Sequence, residues 1–193
     1  IAQNLILALF DVQSEDGFIP HMARPEYISD ITQPPVIAWG AWLVYQKSGD
    51  KEFLRTVSKH NKRFLLWCQK NRRKTEKELY SWHTNPELNN RCDESGMDNS
   101  PRFDTQSDLF AIDFSCYMAN EARYMKRIAD ELSDKESAEF FGSWYEKIKE
   151  DDNSRRNISS GCRFDYGYCV YFWYAILELT CYTGRSNSHH RYL

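Results

Sequence analysis

The chain has 193 residues, of which 41% are hydrophobic and 15% aromatic. A sequence of this length and composition can bury a core and form one ordinary domain, which excludes an intrinsically disordered protein. Its 25 basic and 28 acidic residues give a formal net charge of −3, so charge gives no reason to expect a nucleic acid or an anionic membrane as partner.

The cysteines and the apolar runs exclude further classes of protein. The six cysteines are too few and too irregularly spaced for a disulfide scaffold, and no CxxC pair indicates a zinc or redox site. No apolar run approaches the roughly 20 residues that a membrane-spanning helix needs. Because the first residue is Ile1 rather than Met, we expect a piece of a longer protein. The compartment is left undecided, with the cytoplasm slightly favoured, and the oligomeric state is open.

The first part of the chain predicts two apolar helices separated by a loop. Residues 1–12 are apolar on most sides, and residues 13–20, which include a glycine and a proline, break this helix. Pro34 and Pro35 then open a second helix over residues 36–45, because a proline at the first helical position has no intrahelical hydrogen bond to lose. This helix is apolar nearly all round, which predicts a buried inner position.

The next helix has the pattern of an outer helix with one buried face. Asp50 can cap its N-terminus. Lysines and arginines separate apolar residues that recur mostly at three- and four-residue spacing, namely Phe53, Leu54, Val57, Phe64, Trp67 and Cys68. This amphipathic pattern predicts that these six side chains face the core.

Two further helices are predicted before residue 150. Thr105 and Asp108 can cap a long helix that carries Leu109, Ile112, Cys116, Met125 and Ile128. Ser133 with Glu136 has the spacing of a capping box for a last helix with Phe140, Phe141, Trp144, Tyr145 and Ile148. The alternation of all-round apolar and one-faced helices suggests a toroid of paired helices, although periodicity alone would equally allow a solenoid or a bundle.

The polar stretch over residues 94–104 is the most informative part of the chain. It places carboxylates, an arginine and hydroxyls around Gly96 and Pro101, two residues that disfavour regular structure. Loops on a rigid scaffold often carry function, and a carboxylic acid beside other carboxylates and an arginine is typical of acid catalysis. The composition alone would also fit an ordinary surface loop.

Three motifs in this sequence resemble those of one enzyme family. The string ESGMDNSPR at residues 94–102 resembles the signature of glycoside hydrolase family 63, and it is similar to the related ESGWDxSxR loop of trehalases. GFIPHM at residues 17–22 and ITQPP at residues 31–35 resemble the family's upstream GxIPH and TQPP elements, in the expected order. The resemblance covers about the first three quarters of the chain.

The resemblance implies an all-α fold, because the family's catalytic domain is an (α/α)6 barrel. Twelve helices of about 11–12 residues with their loops do not fit into this chain, so we expect about half a barrel. Residues 1–150 would be the N-terminal part of the catalytic domain. Residues 151–193 show no clear helical stripe and lack the family's WDxxxG(F/Y) element, so we interpret them as a divergent or disrupted tail.

The implied activity is inverting hydrolysis of α-linked glucosides or mannosides. Asp98 matches the aspartate that donates the proton in the family, and Glu94 would favour its protonation through like-charge repulsion. The family's general base is a glutamate far C-terminal to the acid, and the surroundings of Glu178 do not resemble that motif. The alternative is therefore a catalytically inactive helical fragment or a sugar-binding remnant.

Three polar residues of the motifs are candidates for sugar binding. Arg102 matches the family's arginine and could hold a sugar hydroxyl through paired donors, or could brace the loop through Glu94 or Asp104. The amide of Gln33 can donate to and accept from sugar hydroxyls, with helix capping as the alternative. His21 can line the pocket, although a lone histidine is more often a structural hydrogen bonder.

Aromatic side chains and one further carboxylate complete the predicted site. Trp39 or Trp42 can stack on the apolar face of a sugar ring, with core packing as the alternative. Trp82 stands in a polar stretch, which predicts a place at the rim of the pocket. Asp113 matches the family's aspartate after the signature, and we expect it to lie behind the sugar-contacting residues and to hold Arg102.

No cofactor is predicted for this chain. Several acidic residues in and next to the signature loop raise the possibility of calcium, but their spacing does not fit an EF-hand loop, so we predict no metal site. The sequence lacks HExxH, P-loop, GxGxxG and nucleophile-elbow motifs. The predicted partner is a carbohydrate substrate.

Overall fold

The computed structural model describes residues 1–88, 91–98, 100–104 and 111–154, without the side chains of Arg102 and of residues 152–154. This part of the chain contains five α-helices and a two-stranded antiparallel sheet in which Ala23 lies opposite Ile28. Three single-turn 3₁₀ helices span Pro86–Leu88, Asp93–Ser95 and Pro101–Phe103. The longer elements are α1 (Ala2–Asp11), β1 (Ala23–Arg24), β2 (Tyr27–Ile28), α2 (Ile37–Ser48), α3 (Lys51–Arg72), α4 (Ile112–Glu131) and α5 (Lys135–Ser154).

Helix α3 has the predicted amphipathic character. Asp50 caps it, since its Oδ1 atom accepts hydrogen bonds from the backbone N–H groups of Glu52 at 3.0 Å and Phe53 at 3.1 Å. All six apolar side chains that the spacing assigned to the core face are buried. Both the cap and the stripe follow from local sequence, because each involves residues within a few positions of one another.

The core lies between α3, α4 and α5, and α2 closes it from one side. Helix α4 packs most extensively against α5, while α2 contacts both α3 and α4. The large apolar side chains at its centre have no exposed surface, and they include Leu54, Leu65, Phe114, Met125, Ile128, Phe141 and Ile148. Burial of this set from three helices is what holds the helical layers together.

The start of α2 differs from the prediction. The helix begins at Ile37, so Pro35 precedes the N-cap residue Val36 and is not the first helical residue. The first-turn amides are satisfied from another helix: the carboxylate of Glu121 on α4 accepts from Ala38 N–H at 2.8 Å and from Trp39 N–H at 3.1 Å. A carboxylate is well placed at a helix N-terminus, where the backbone dipoles are positive.

Burial of α1 and α2 is only partly as predicted. Ile37, Ala38 and Ala41 are the buried residues of α2, whereas Leu43 is 44% exposed. In α1 Phe10 is the buried residue, and one face of that helix leaves Leu5, Leu9 and Val12 exposed. The all-round apolar pattern therefore does not correspond to all-round burial within the described residues.

The predicted capping box before the last helix is wrong. Ser133 has a φ of 60°, the left-handed conformation that ends α4. The backbone N–H groups of Ser133 and Asp134 donate to the carbonyls of Asp130 at 3.1 Å and Ala129 at 2.9 Å, which is a Schellman motif. Asp134 then caps α5, since its Oδ1 accepts from Ser137 N–H at 3.0 Å. A serine used to terminate one helix is unavailable to begin the next.

Several predictions fall on residues outside the described part of the chain. Thr105, Asp108 and Leu109 are among them, and α4 begins at Ile112 in the described part. Residues 155–193, which contain most of the predicted tail, are also outside it, whereas α5 continues as far as Ser154. None of the described helices combines the length and the apolar character that crossing a bilayer requires.

A buried glutamate joins the segment after α3 to α5. The Glu78 side chain has no exposed surface and accepts hydrogen bonds from Trp144 Nε1 at 3.0 Å, Arg73 at 2.8 Å and the Tyr80 hydroxyl. Burial by itself raises the pKa of Glu78, but the hydrogen bonds from Tyr80, Trp144 and Arg73 outweigh it and hold the pKa below its ordinary value. The charged form of Glu78 therefore stabilises the folded state.

The helix caps give a first prediction. Asp134→Ala removes the side chain that satisfies the Ser137 amide and should lower the free energy of unfolding by about 1 kcal/mol, whereas Ser133→Ala should change it by less than about 0.5 kcal/mol. Urea denaturation followed by tryptophan fluorescence measures both. A larger loss of unfolding free energy for Ser133→Ala than for Asp134→Ala would contradict this assignment and support the capping box predicted from the sequence.

The lowered pKa of Glu78 gives a prediction on acid stability. The unfolded chain binds the proton first, near the ordinary pKa of 4.5, so the stabilisation is complete above that pH and is lost as the pH falls through the lower folded-state value. Glu78→Gln should cost about 2 kcal/mol at pH 7 and progressively less below pH 4.5.

Denaturant titrations at a series of pH values compare this variant with the unsubstituted chain. Glu76→Gln is the control, because Glu76 is exposed two residues away and should leave the pH dependence unchanged. A cost of Glu78→Gln that stays constant from neutral to acidic pH would contradict the assignment.

Candidate functional site

The signature loop closes into a short ring between Cys92 and Asp98. The Cys92 N–H donates to the Asp98 carbonyl at 3.2 Å. Within the ring, Ser95 Oγ donates to the Cys92 carbonyl at 2.8 Å and accepts from Met97 N–H at 3.0 Å. Gly96 turns the chain with a φ of 69°. These bonds fix the backbone on which Asp98 stands.

Glu94 anchors this ring to the rest of the fold. Its fully buried carboxylate accepts two hydrogen bonds from Arg72, at 2.7 Å to Oε1 and 2.8 Å to Oε2. Thr32 N–H donates to Oε2 at 3.1 Å, and His83 N–H donates to Oε1 at 3.2 Å. Four donors from three separate segments thus meet on one side chain, which compensates its buried charge.

Arg72 is itself held in place by Trp67, which is in turn hydrogen bonded to the loop before the first motif. Its guanidinium lies 4.7 Å from the centre of the Trp67 ring, and Trp67 Nε1 donates to Asp16 Oδ2 at 3.1 Å. A planar guanidinium is suited to stacking and to bidentate pairing at the same time. The neighbouring Cys68 is fully buried. Burial raises the pKa of its thiol, and the negative charge of Glu94 raises it further.

The loop before GFIPH is bound to α3. Arg63 donates to the carbonyls of Ser14 at 2.9 Å and Glu15 at 2.8 Å, while Gln13 Nε2 donates to the carbonyls of Gly17 and His60, each at 3.0 Å. Gly17 has a φ of 103°, and a Cβ atom there would lie 2.5 Å from the Arg63 carbonyl oxygen. The glycine is required by this close approach.

The GFIPH and TQPP motifs are joined by the β1–β2 hairpin. At its base His21 N–H donates to the Ile31 carbonyl at 2.7 Å. The buried Ser29 hydroxyl accepts from Met22 N–H at 3.0 Å, and Thr32 Oγ1 donates to the Ile19 carbonyl at 2.7 Å. Since Thr32 also donates to Glu94, the three motifs that are far apart in sequence form one connected structure.

Asp98 is presented to solvent at the end of the ring. Its side chain is 44% exposed, and Oδ2 lies 4.0 Å from a guanidinium nitrogen of Arg91, which also pairs with Asp93. An exposed pair at this distance contributes little to stability. The arrangement leaves the Asp98 carboxyl accessible on a backbone that is fixed from behind, as a proton donor to a bound substrate requires.

The predicted sugar-binding residues lie in different environments. Gln33 is exposed, and His21 is half-buried. The Nδ1 atom of His21 is buried without a hydrogen-bond partner among the described residues. Trp39 is half-buried in the first turn of α2, where its backbone N–H donates to Glu121. Gln33, His21 and Trp39 remain predictions as sugar contacts.

Trp82 is not at an exposed rim, contrary to our expectation. It is 3% exposed and stacks on Phe114, with ring centres 4.2 Å apart and an interplanar angle of 14°. Its Nε1 atom donates to Asp113 Oδ2 at 3.2 Å. The polar neighbours in sequence misled the prediction because Ser81 and Thr84 are themselves buried, so their polarity does not indicate an exposed segment. Asp113 thus holds Trp82, and the predicted contact with Arg102 lies outside the described side chains.

The partner of Glu94 was not predicted from the sequence. We assigned Glu94 an influence on Asp98 and considered Arg102 as its possible partner, but the arginine that pairs with Glu94 is Arg72. The available signal was the basic run at residues 70–74, which is also an ordinary feature of a helix C-terminus. In the described part of the chain, no group of three or more histidine, cysteine or acidic side chains is arranged to hold a metal ion.

Comparison with protein families identifies the origin of these motifs. The model of the mannosylglycerate hydrolase MGH1-like glycoside hydrolase domain matches residues 1–156. This range includes the hairpin motifs and the ring that carries Asp98. No curated protein matches the chain.

Solved structures share the helical fold. The GH63 mannosylglycerate hydrolase from Thermus thermophilus, in complex with glucose, is 22% identical with a TM-score of 0.60, over 76% of this chain and 50% of that one. An uncharacterised conserved protein from the same organism is 22% identical with a TM-score of 0.60, and the match covers 74% of this chain and 48% of that one. An α-L-rhamnosidase from Dictyoglumus thermophilum is 18% identical with a TM-score of 0.59, and the match covers 79% of this chain and 16% of that one.

These similarities confirm the predicted fold class, an all-α structure that forms part of an (α/α)6 barrel. The chain spans about half the length of the T. thermophilus structures that it matches.

The Gly17 contact gives a prediction for the site's scaffold. Gly17→Ala combines a disfavoured φ with a clash against the α3 backbone, and it should lower the free energy of unfolding by about 3 kcal/mol. Gly49→Ala is the matched control, since Gly49 also has a positive φ, of 68°, but no atom lies within 4 Å of the position that a methyl group would take there.

The control should cost about 1 kcal/mol from backbone strain alone. Urea denaturation of both variants gives the comparison. Equal losses would show that the approach of Gly17 to Arg63 contributes nothing to stability.

Proposed function

Because this chain belongs to the mannosylglycerate hydrolase MGH1-like glycoside hydrolase domain family, we propose that it is part of an inverting hydrolase of α-linked glucosides or mannosides. The resemblance to glycoside hydrolase family 63 is confirmed by the matching structures. The observation that carries the proposal is the position of Asp98, exposed on a ring whose backbone is pinned by the buried Glu94.

Asp98 is the general acid in this proposal. In its protonated form it gives its proton to the glycosidic oxygen, so that the bond to the anomeric carbon breaks and the leaving group departs as an alcohol. In the same displacement a water attacks the anomeric carbon from the opposite face of the sugar and gives its proton to a carboxylate base about 6.5–9.5 Å from the acid. That base is not recognisable in this chain, and Glu178 lies outside the described residues.

The sugar-binding residues of this proposal are Gln33, Arg102, His21, Trp82 and Trp39. The exposed amide of Gln33 and the unpartnered Nδ1 of His21 support polar contacts to hydroxyl groups. Trp82 is supported less directly, because it is stacked on Phe114 and would contact a sugar only at its edge. Asp113 would act through Trp82, whose indole it holds.

The names of the matched proteins support a substrate class for this proposal. A mannosylglycerate hydrolase from T. thermophilus is known in complex with glucose and with D-glycerate, which supports a small α-glycoside of mannose or glucose. Trehalose-like and glucosyl-oligosaccharide substrates are the other candidates within the motif resemblance. Assays on natural α-mannosides and α-glucosides distinguish them.

The proposal assigns residues 1–150 to the catalytic domain and residues 151–193 to a divergent or disrupted tail. It is supported by the end of the family match at residue 156 and by the compact unit Ile1–Arg155. The alternative function is an inactive helical fragment or sugar-binding remnant, favoured by the unrecognised base. Turnover of an aryl α-glycoside by the 193-residue chain would exclude this alternative.

Substitution of Asp98 tests the mechanism in a form of the protein that hydrolyses glycosides. Asp98→Asn keeps the shape of the side chain and removes the proton donor, so kcat for natural glycosides should fall by roughly 10²–10⁴-fold while KM changes little. Glycosyl fluorides should be affected much less, because fluoride leaves with little protonation.

Asp104→Asn serves as the control, because it changes an exposed aspartate of the same loop and should leave kcat near that of the unsubstituted protein. Equal damage to natural glycosides and fluorides by Asp98→Asn would mean that Asp98 binds or orients the substrate instead of protonating it.

A further inference from the structure

A residue outside all three motifs controls the ring that carries Asp98. Arg72 ends α3, and its side chain is 12% exposed. Arg72 makes two of the four hydrogen bonds to Glu94, and it forms the ion pair that compensates the negative charge of Glu94. Without Arg72, a fully buried carboxylate would retain two backbone amides as its donors, which is insufficient to hold a charge in an apolar surrounding.

The connection from Arg72 to Asp98 is short and continuous. Glu94 lies in the 3₁₀ helix Asp93–Ser95 at the centre of the ring. The Cys92 N–H donates to the Asp98 carbonyl, and the Ser95 hydroxyl donates to the Cys92 carbonyl and accepts from Met97 N–H. A displacement of Glu94 is therefore transmitted to the backbone of Asp98, because its neighbour Ser95 is hydrogen bonded to both ends of the ring, across the turn at Gly96.

We propose that Arg72 is a positioning residue for proton donation by Asp98. The inference rests on the proposed function, since it concerns the placement of the acid. Arg72 does not contact the Asp98 carboxylate in this structure; it acts through Glu94 and the ring. Its guanidinium lies over Trp67, which is hydrogen bonded to Asp16, so the position of the acid depends on the loop before GFIPH as well.

Arginine is needed for geometric reasons. Its planar fork meets both oxygens of Glu94 while its central carbon lies over an indole ring, a combination that the ammonium group of lysine does not provide. Positioning matters because displacement of a catalytic group by about 1 Å can reduce the rate roughly 100-fold.

The chain offers a matched control in the next residue. Arg73 also pairs with a fully buried glutamate, Glu78, at 2.8 Å, but that pair joins the following segment to α5 and not to the ring. Arg72→Met and Arg73→Met therefore each remove an arginine from a buried carboxylate at the same helix end. Only Arg72→Met should change the position of Asp98.

The first measurement is amide hydrogen exchange in the 193-residue chain, which requires no activity. Arg72→Met should speed exchange of the amides of residues 92–98 by roughly tenfold or more relative to Arg73→Met. The amides of α4 should respond similarly to both variants. Arg72→Lys, which keeps the charge, should give an intermediate rate in the ring and provides the test if Arg72→Met does not fold.

The second measurement is kinetic. In a form that turns over, Arg72→Met should lower kcat for natural glycosides roughly 100-fold with little change in KM, and lower it less for glycosyl fluorides, whereas Arg73→Met should leave the ratio of the two substrates unchanged. The proposal would be overturned if the amides of residues 92–98 exchanged at the same rate in Arg72→Met, Arg72→Lys and Arg73→Met. Absence of turnover in the unsubstituted protein would instead count against the proposed function, without affecting the exchange result.

Discussion

The buried carboxylate of Glu94 is the interaction on which the candidate site depends. A charge without access to water must be paired and hydrogen bonded, and Glu94 meets this demand with donors from Arg72, Thr32 and His83. Thr32 is 62 positions away in sequence. The need to satisfy one side chain thus brings together the end of α3, the TQPP motif and the strand-like segment before the signature.

A buried glutamate that accepts hydrogen bonds from separate elements occurs at two other places in the described part of the fold. Glu121 on α4 satisfies the first amides of α2 and accepts from Asn61 on α3 at 2.8 Å; burial raises its pKa, although these hydrogen bonds oppose the rise. Glu78 joins the segment after α3 to Trp144 on α5. Each of these glutamates fixes the relative position of elements that apolar packing alone would leave free to slide.

The agreement between prediction and structure follows the range of the interactions. The Asp50 cap and the buried stripe of α3 were predicted because they depend on residues three or four positions apart. The cap of α5 was missed by one residue, since the choice between Ser133 and Asp134 depends on where α4 ends. The start of α2 was placed too early because its capping carboxylate, Glu121, lies 83 positions from Ala38.

From the order of its residues alone, this chain is recognisable as a helical member of a glycoside hydrolase family, because motifs and apolar periodicity are local properties. The catalytic candidate Asp98 is among the residues found in this way. The partners of the buried charges are not, since a glutamate does not specify which of several arginines will reach it. That pairing of Glu94 with Arg72, and the burial of Trp82 against Phe114, required the folded chain, in which distance along the sequence no longer determines distance in space.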